Sequence, residues 1–187
     1  MRRWILKAAA AGFTLAALTA PAFAESKSKP APDCSAGAIP DKPVSGTVNG
    51  VAFVPKEITL HITKDGMETD GIKFDKYDLS LNVDGIFNAA TVGMLVRQGT
   101  KPDGRAWRVL PTDSISGQPA AAEGLPEVQG WEIALEAAHV DTSFTDGIAA
   151  IRVEWGARKG NTMPGKIHFC VPEAKTDIAG SFTATVQ

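Results

Sequence analysis

Two cysteines, Cys34 and Cys170, constrain the fold more than any other feature of this chain of 187 residues. They are its only cysteines, so an intrachain disulfide has to join a point near the N-terminus to a point near the C-terminus. Such a bridge would close a loop of about 137 residues and stabilise the folded state by roughly 5 kcal/mol in the chain-entropy model. Cysteine pairs of exported proteins are usually disulfides, and the absence of a CxxC spacing argues against redox catalysis. We therefore predict a Cys34–Cys170 disulfide, with an intermolecular bridge or a reactive thiol as the alternatives.

Residues 1–24 have the three parts of an export signal. A basic start with Arg2, Arg3 and Lys7 precedes a short apolar run at 8–20, and a small-x-small cleavage pattern ends at Ala24. The apolar run is shorter than the roughly 18 residues that a membrane-spanning helix needs. We therefore predict a signal peptide that is cleaved after Ala24, a periplasmic or secreted protein, and no membrane anchor in the mature chain.

The basic start also resembles a twin-arginine signal. Arg2 and Arg3 are followed by the hydrophobic pair Ile5-Leu6 and then by Lys7. Because the arginine pair directly follows Met1 and lacks a polar lead-in, we favour an ordinary secretory signal. The twin-arginine route, which exports folded proteins, is the alternative.

The composition after residue 24 is that of one acidic, turn-rich domain. Removal of the three basic signal residues from the 19 in the chain leaves 16 against 21 acidic residues, a formal charge of −5. Nucleic acids and anionic membranes attract basic surfaces, so we predict neither as a partner. We interpret residues 25–43, rich in Pro, Lys and Ser, as a partly disordered lead-in, and residues 44–187 as a single β domain.

Alternating apolar and polar residues predict strands along the whole domain. The clearest signal is a hairpin, in which strands at 44–48 and 51–54 flank the type I′ turn pair Asn49-Gly50. A polar loop is predicted at 64–71. The stretch at 111–126, rich in Ser, Gly, Ala and Pro, is predicted to be a mobile surface loop, with a functional lid as the alternative. The fold class is therefore all-β, an antiparallel β-sandwich or barrel-like domain of about eight to ten short strands with little helix apart from the signal peptide. Further strands are predicted at 58–62, 74–83, 86–96, 107–110, 131–140, 148–155, 165–172 and 181–186.

No motif assigns a metal or a cofactor, and we predict none. His61, His139 and His168 lie on separate predicted strands, so we interpret them as unrelated, with a three-histidine zinc site as the alternative. Asp-Gly pairs at 65–66 and 146–147 are typical of turns, with calcium loops as the alternative.

The catalytic patterns are equally weak, and no catalytic residue is assigned. No serine of the chain lies in a GxSxG motif, which would position it as a nucleophile. Glu132 and Glu136 are interpreted as solvated carboxylates rather than as a hydrolytic pair. The candidate ligand-binding residues are Trp107, whose ring would stack on a sugar if exposed, and the basic turn residues Arg158 and Lys159.

These observations favour an exported, non-catalytic domain with a binding or accessory role. The partner is an unknown protein or small-molecule ligand. The alternative is a hydrolase or metal-dependent enzyme whose site is assembled from distant loops, and a pocket with converging titratable groups would favour it.

Overall fold

The computed structural model describes residues 34, 38–69, 71–84, 87–109, 128–135, 140–143 and 149–187. The predicted signal peptide, most of the predicted lead-in, the loop predicted at 111–126 and His139 lie outside these ranges. The described residues form eleven strands and no helix. The strands are β1 Ser45–Val48, β2 Val51–Phe53, β3 Glu57–Thr69, β4 Ile72–Asp84, β5 Phe87–Arg97, β6 Ala106–Val109, β7 Val128–Leu135, β8 Val140–Ser143, β9 Ala150–Trp155, β10 Thr162–Val171 and β11 Thr176–Val186.

The predicted all-β fold is confirmed as one mixed sheet that curls around a single core. The strand order is β6-β9-β10-β11-β3-β4-β5-β7-β8, and the β1–β2 hairpin is attached to β11. Tyr77 on β4 and Trp107 on β6 meet edge to face with ring centroids 6.2 Å apart. Because four strands separate β4 from β6 in the sheet, this contact requires the sheet to fold over on itself. The two halves thus face each other in the sandwich-like or barrel-like way that the sequence predicts.

One strand pair departs from the predicted antiparallel pattern. All pairs of neighbouring strands among the described residues are antiparallel except β3 and β11, which run parallel through Thr59↔Thr185 and Leu60↔Val186. Local alternation cannot reveal this pairing, because it joins strands from the two ends of the domain.

The hairpin of β1 and β2 has the predicted turn. Asn49 and Gly50 both have positive φ, 50° and 76°, as a type I′ turn requires. This turn matches the twist of the flanking strands, and Val48 pairs with Val51 across it.

The predicted loop at 64–71 is wrong, because β3 continues through it to Thr69. A bulge interrupts the pairing: Thr63 pairs with Lys76 and Met67 with Phe74, so residues 64–66 lie opposite the single residue Asp75. Asp65 has a φ of 52° at this point. Residues 63–68 are exposed, so the sequence here carries no alternation between a buried and a wet face.

The predicted strand at 131–140 is two strands. β7 ends at Leu135, β8 begins at Val140, and these two residues pair antiparallel, so the chain reverses between them. The choice of strand over helix is confirmed, since Trp131, Ile133 and Leu135 are buried in alternation.

The predicted disulfide joins Cys34 to Cys170, with Cα atoms 5.6 Å apart. We call residues 34 and 38–43 the leader. Its contacts with the sheet begin before residue 44: Ile39 is buried, Asp41 pairs with Lys166 at 2.5 Å, and the Lys42 carbonyl accepts a hydrogen bond from the Ser181 N–H at 2.7 Å.

Within the described ranges, no helix is long and apolar enough to cross a membrane.

Candidate functional site

An open cavity of about 750 Å³ lies where β3, β4, β10 and β11 meet two connecting segments. The segments are the loop at 99–103, between β5 and β6, and the turn at 158–160, between β9 and β10. β3 and β4 lie beside β10 and β11 here because β3 pairs with β11 within the sheet. The lining residues are Ile62, Lys64, Asp75, Tyr77, Gly99, Thr100, Lys101, Pro102, Asp103, Arg158, Gly160, Met163, Val186 and Gln187.

The bulge in β3 places a charged pair in the cavity wall. Lys64 donates a hydrogen bond from Nζ to Asp75 Oδ2 at 2.6 Å, and the Asp65 N–H donates to Asp75 Oδ1 at 3.3 Å. Asp75 is only 3% exposed, so its buried carboxyl oxygens need these hydrogen-bond donors. The hydrogen bond to Asp75 raises the pKa of Lys64 above its ordinary value of 10.5, and Lys64 therefore stays cationic at neutral pH.

The two connecting segments are held together by Asp103 and Arg158. Asp103 Oδ1 accepts a hydrogen bond from the Arg158 backbone N–H at 2.8 Å, and Arg158 Nε donates to the Gly160 carbonyl at 2.9 Å. Within the described part of the chain, neither the Arg158 guanidinium nor Lys101 has a carboxylate ion-pair partner. Two cationic residues thus line the cavity without a direct ion-pair partner among the residues that the structure describes.

Tyr77 lies among the charged groups of the cavity and is 4% exposed. Burial raises the pKa of its hydroxyl above the usual 10.0; Asp75 and Asp103 add to the rise, and Lys64 and Arg158 oppose it. The hydroxyl is therefore protonated at neutral pH and can donate a hydrogen bond.

The three sequence-predicted ligand residues have different positions. Arg158 lines the cavity. Lys159 follows it but is exposed and does not line the cavity; its backbone pairs with Thr162. Trp107 is 1% exposed, and its ring packs between Tyr77 and Trp155 at centroid distances of 6.2 and 5.9 Å. The stacking hypothesis required an exposed ring, so we leave Trp107 out of the site and assign it a packing role.

The sequence reasoning missed Lys64, Asp75 and Tyr77 as site residues. Tyr77 has the same alternating phase as Leu79 and Leu81, and Asp75 precedes it by two residues, which places both on the same face of β4. An acidic residue in the inward phase of a strand was the signal that would have pointed to the site.

A second polar cluster lies on the outer face of the sheet. Lys76 Nζ contacts Glu132 at 2.7 Å and Asp78 at 3.4 Å, and burial raises the pKa of Asp78 above its usual 3.8. Gly93 leaves room for them, since a Cβ there would lie 2.9 Å from Asp78 Oδ1. Glu132 thus shares a lysine with Asp78, and the other member of the predicted carboxylate pair, Glu136, lies outside the described residues.

The described histidines have separate neighbours. His61 is exposed on β3 opposite Asp78. His168 on β10 lies beside Asp177, with His168 Nε2 3.2 Å from Asp177 Oδ1, and both are near Cys170. His168 is therefore grouped with a cysteine and an aspartate rather than with His61.

Fold and cavity together define the class: an all-β domain with a disulfide between its ends and a ligand-sized polar cavity. No protein-family model, no curated protein and no solved structure matches the chain. Its function is therefore argued from the chemistry of the cavity.

Proposed function

We propose that the chain is an exported, non-catalytic binding domain whose cavity holds a small anionic ligand with a carboxylate or phosphate group. The observation that carries the proposal is that three residues with hydrogen-bond donor groups line the cavity: Arg158, Lys101 and Tyr77, whose hydroxyl is protonated. A guanidinium forms strong charge-assisted hydrogen bonds to both kinds of anion. The volume of about 750 Å³ lies in the range of small-molecule sites.

The remaining wall of the cavity indicates what else the ligand contains. Ile62, Met163 and Val186 contribute apolar surface. A ligand that joins an anionic group to a short apolar portion would use both parts of the wall, whereas inorganic phosphate would use only the donors.

The hydrolase alternative is favoured by one observation, the presence of Asp75 and Tyr77 in the same cavity. A general acid or base works best with a pKa near the working pH. The pKa values of Lys64 and Tyr77 are both raised, away from neutrality, and both oxygens of Asp75 accept hydrogen bonds from the β3 bulge. These charge states suit binding better than proton transfer.

The export part of the proposal is supported by the signal pattern at 1–24 and by the disulfide. A disulfide is compatible with an oxidising compartment such as the periplasm or the exterior of the cell.

Tryptophan fluorescence provides the test, since Trp107 touches Tyr77 at the cavity. The protein is titrated with inorganic phosphate, short-chain monocarboxylates, dicarboxylates and phosphate monoesters at low and high salt. We expect saturable binding of at least one anion that weakens as salt rises. Arg158→Ala should weaken it about tenfold or more, since hydrogen bonds to charged groups contribute about 1.5–3 kcal/mol.

Two variants distinguish anion binding in the cavity from a general attraction of anions to basic surface residues. Lys42→Ala removes an exposed cation of the leader and should leave the affinity unchanged, and Lys159→Ala tests whether the exposed neighbour of Arg158 contributes. Failure of every anion class to bind, or equal losses in Arg158→Ala and Lys42→Ala, would contradict the proposal. Turnover of any phosphate or carboxylate ester in the panel would favour the hydrolase alternative.

A further inference from the structure

The outer face of β10 carries a set of metal-binding atoms around the disulfide. One ligand atom each of His168, Cys170 and Asp177 lies within 4.8 Å of the other two. Cys34 contributes a fourth, because its sulfur is bonded to that of Cys170. None of these residues lines the cavity, so the cluster is independent of the proposed ligand site.

Strand geometry explains why these residues meet. His168 and Cys170 are two residues apart on β10 and so project from the same face. Cys170 pairs directly with Asp177 on the neighbouring strand β11. Cys170 is fully buried but is not part of the main hydrophobic core, which takes Phe169 and Val171 from the opposite face of β10.

The leader is attached to this outer face on both sides of His168. Cys34 is bonded to Cys170, and Asp41 pairs with Lys166 at 2.5 Å. The side chain of His168, whose position on β10 is between these two attachment points, is only 12% exposed. His168 and Cys170 are therefore enclosed beside the leader, whereas the Asp177 side chain is 44% exposed and open to an incoming ion.

We propose that reduction of the Cys34–Cys170 disulfide creates a site for zinc, or a cation of its class, formed by both thiolates, His168 and Asp177. Two sulfurs, an imidazole nitrogen and a carboxylate oxygen are a ligand set that zinc accepts in tetrahedral geometry. Metal–ligand bonds of about 2.0 to 2.3 Å place neighbouring ligand atoms about 3.3 to 3.8 Å apart. The 3.2 Å between His168 Nε2 and Asp177 Oδ1 is already close to this spacing, and the 4.8 Å limit on the ligand atoms of His168, Cys170 and Asp177 requires only a small contraction. The two sulfurs have to move apart to the same spacing once the bond between them is broken.

The metal site forms in two steps, reduction of the disulfide and then binding of the ion. A dithiol reductant supplies two electrons and two protons, the sulfur–sulfur bond breaks, and the reductant leaves as its own disulfide. Zinc then displaces the two thiol protons and binds the two thiolates together with neutral His168 and ionised Asp177. In a reducing compartment the metal would keep the leader attached to β10, which is the role of the disulfide under oxidising conditions.

Cobalt(II) is the probe for the test, because thiolate ligands give it a charge-transfer absorption that oxygen and nitrogen ligands alone do not. The full chain is reduced with a phosphine, which becomes a phosphine oxide, desalted without oxygen, and titrated with Co²⁺ and then Zn²⁺. We expect one Co²⁺ per reduced chain, a thiolate band that Zn²⁺ abolishes, and no such band with the oxidised protein. Cys34→Ala, which retains three of the ligands, should give a weaker band without any reductant.

Substitutions assign the non-sulfur ligands. Loss of residues that merely orient a ligand costs about 10- to 100-fold in metal affinity, so His168→Gln and Asp177→Asn should each cost at least about tenfold. His61→Ala, which removes an exposed histidine of β3, is the matched control and should retain the affinity of the reduced wild type. Each variant is first shown by circular dichroism to fold in its oxidised form.

Three results would overturn the proposal. The first is a reduced, folded chain without a thiolate–cobalt band. The second is an affinity that His168→Gln and Asp177→Asn leave within about twofold of the control, against the tenfold loss expected of a ligand. The third is unfolding of both the reduced protein and Cys34→Ala in the presence of Zn²⁺, because the site requires the folded sheet.

Discussion

Reduction of the Cys34–Cys170 disulfide should remove a large part of the stability of the fold. The two cysteines are 136 residues apart in sequence, and the chain-entropy model gives roughly 5 kcal/mol for a loop of this length. A typical domain has a free energy of unfolding of only about 5 to 15 kcal/mol. With a urea m-value of about 2 kcal/mol/M, the unfolding midpoint should fall by about 2.5 M.

Urea unfolding followed by tryptophan fluorescence measures this loss, with a chelator present so that no metal can replace the bridge. Oxidised wild type, reduced wild type and two single variants are compared. Cys34→Ala should match the reduced wild type within about 0.5 kcal/mol, because Cys34 is only partly buried. Cys170→Ala should cost about 1 kcal/mol more, because the Cys170 side chain is fully buried and its sulfur would leave a small void.

The comparison separates the effect of the crosslink from that of packing. If reduction, verified by intact mass, changes the free energy of unfolding by less than about 1 kcal/mol, the entropic reasoning is refuted. The same holds if Cys170→Ala is strongly destabilised while Cys34→Ala matches the oxidised wild type. The stability would then come from the buried sulfur and not from the closed loop.

Three further predictions follow from the packing and charges. Tyr77 is the only tyrosine of the chain, so the ultraviolet absorbance of tyrosinate reports its pKa directly. The midpoint of this pH titration should lie above 10.0 and should fall in Asp103→Asn, because Asp103 adds to the rise. A midpoint at or below 10.0 in the wild type would contradict the burial argument. Gly180→Ala should destabilise the fold by about 3 kcal/mol in urea unfolding. Its φ is +143° and a Cβ would lie 2.6 Å from the Lys42 carbonyl oxygen and from the Val44 Cα. Gly71→Ala, with a φ of +75° and open space, should cost only about 1 kcal/mol, and equal costs would rule out the steric part of the argument. The raised pKa of Asp78 means that the folded state holds its proton more tightly than the unfolded state, so stability falls as the pH rises from 3.8 through the folded pKa. Asp78→Asn should therefore gain stability relative to wild type across that window, and a pH-independent difference between the two would be inconsistent with it.

Patterns of residues that lie close together in the sequence made most of the fold predictable. The residue pair Asn49-Gly50 is strongly typical of a type I′ turn, and its two positive φ angles confirm the predicted turn. In β9, Ile151, Val153 and Trp155 are buried, while the intervening polar residues are partly exposed. Here one face of the strand meets the core and the other meets water, so the period of two is visible in the sequence.

The same reasoning failed where that contrast is missing. Residues 63–68 of β3 are exposed on both faces, so nothing in them distinguishes a strand from a loop. The pairing of β3 with β4 includes the bulge at Asp65. Because a bulge depends on how two strands pair, the residue pattern of either strand alone does not predict it.

Most of the candidate site was hidden for a related reason. Arg158 could be predicted because it belongs to a basic turn that is visible in the sequence. Asp75 and Tyr77 become site residues only because β3 pairs with β11, which places β3 and β4 beside β10 and the 158–160 turn. The parallel pairing of β3 with β11, which closes this wall, joins residues from the two ends of the domain and leaves no local signal.

The cavity and the disulfide should respond to perturbation independently, because they lie at opposite ends of β10. Met163 lines the cavity and Cys170 forms the disulfide, seven residues further along the strand, which corresponds to roughly 23 Å. The two side chains also project from opposite faces of the strand, Met163 into the core and Cys170 towards the leader. Cys34→Ala should therefore lower stability yet leave the affinity of the cavity for its anion within about twofold of wild type, when measured well below the unfolding midpoint. An affinity that drops tenfold in the folded variant would show that the leader sets the position of β10 at the cavity, and the two sites would then be energetically coupled.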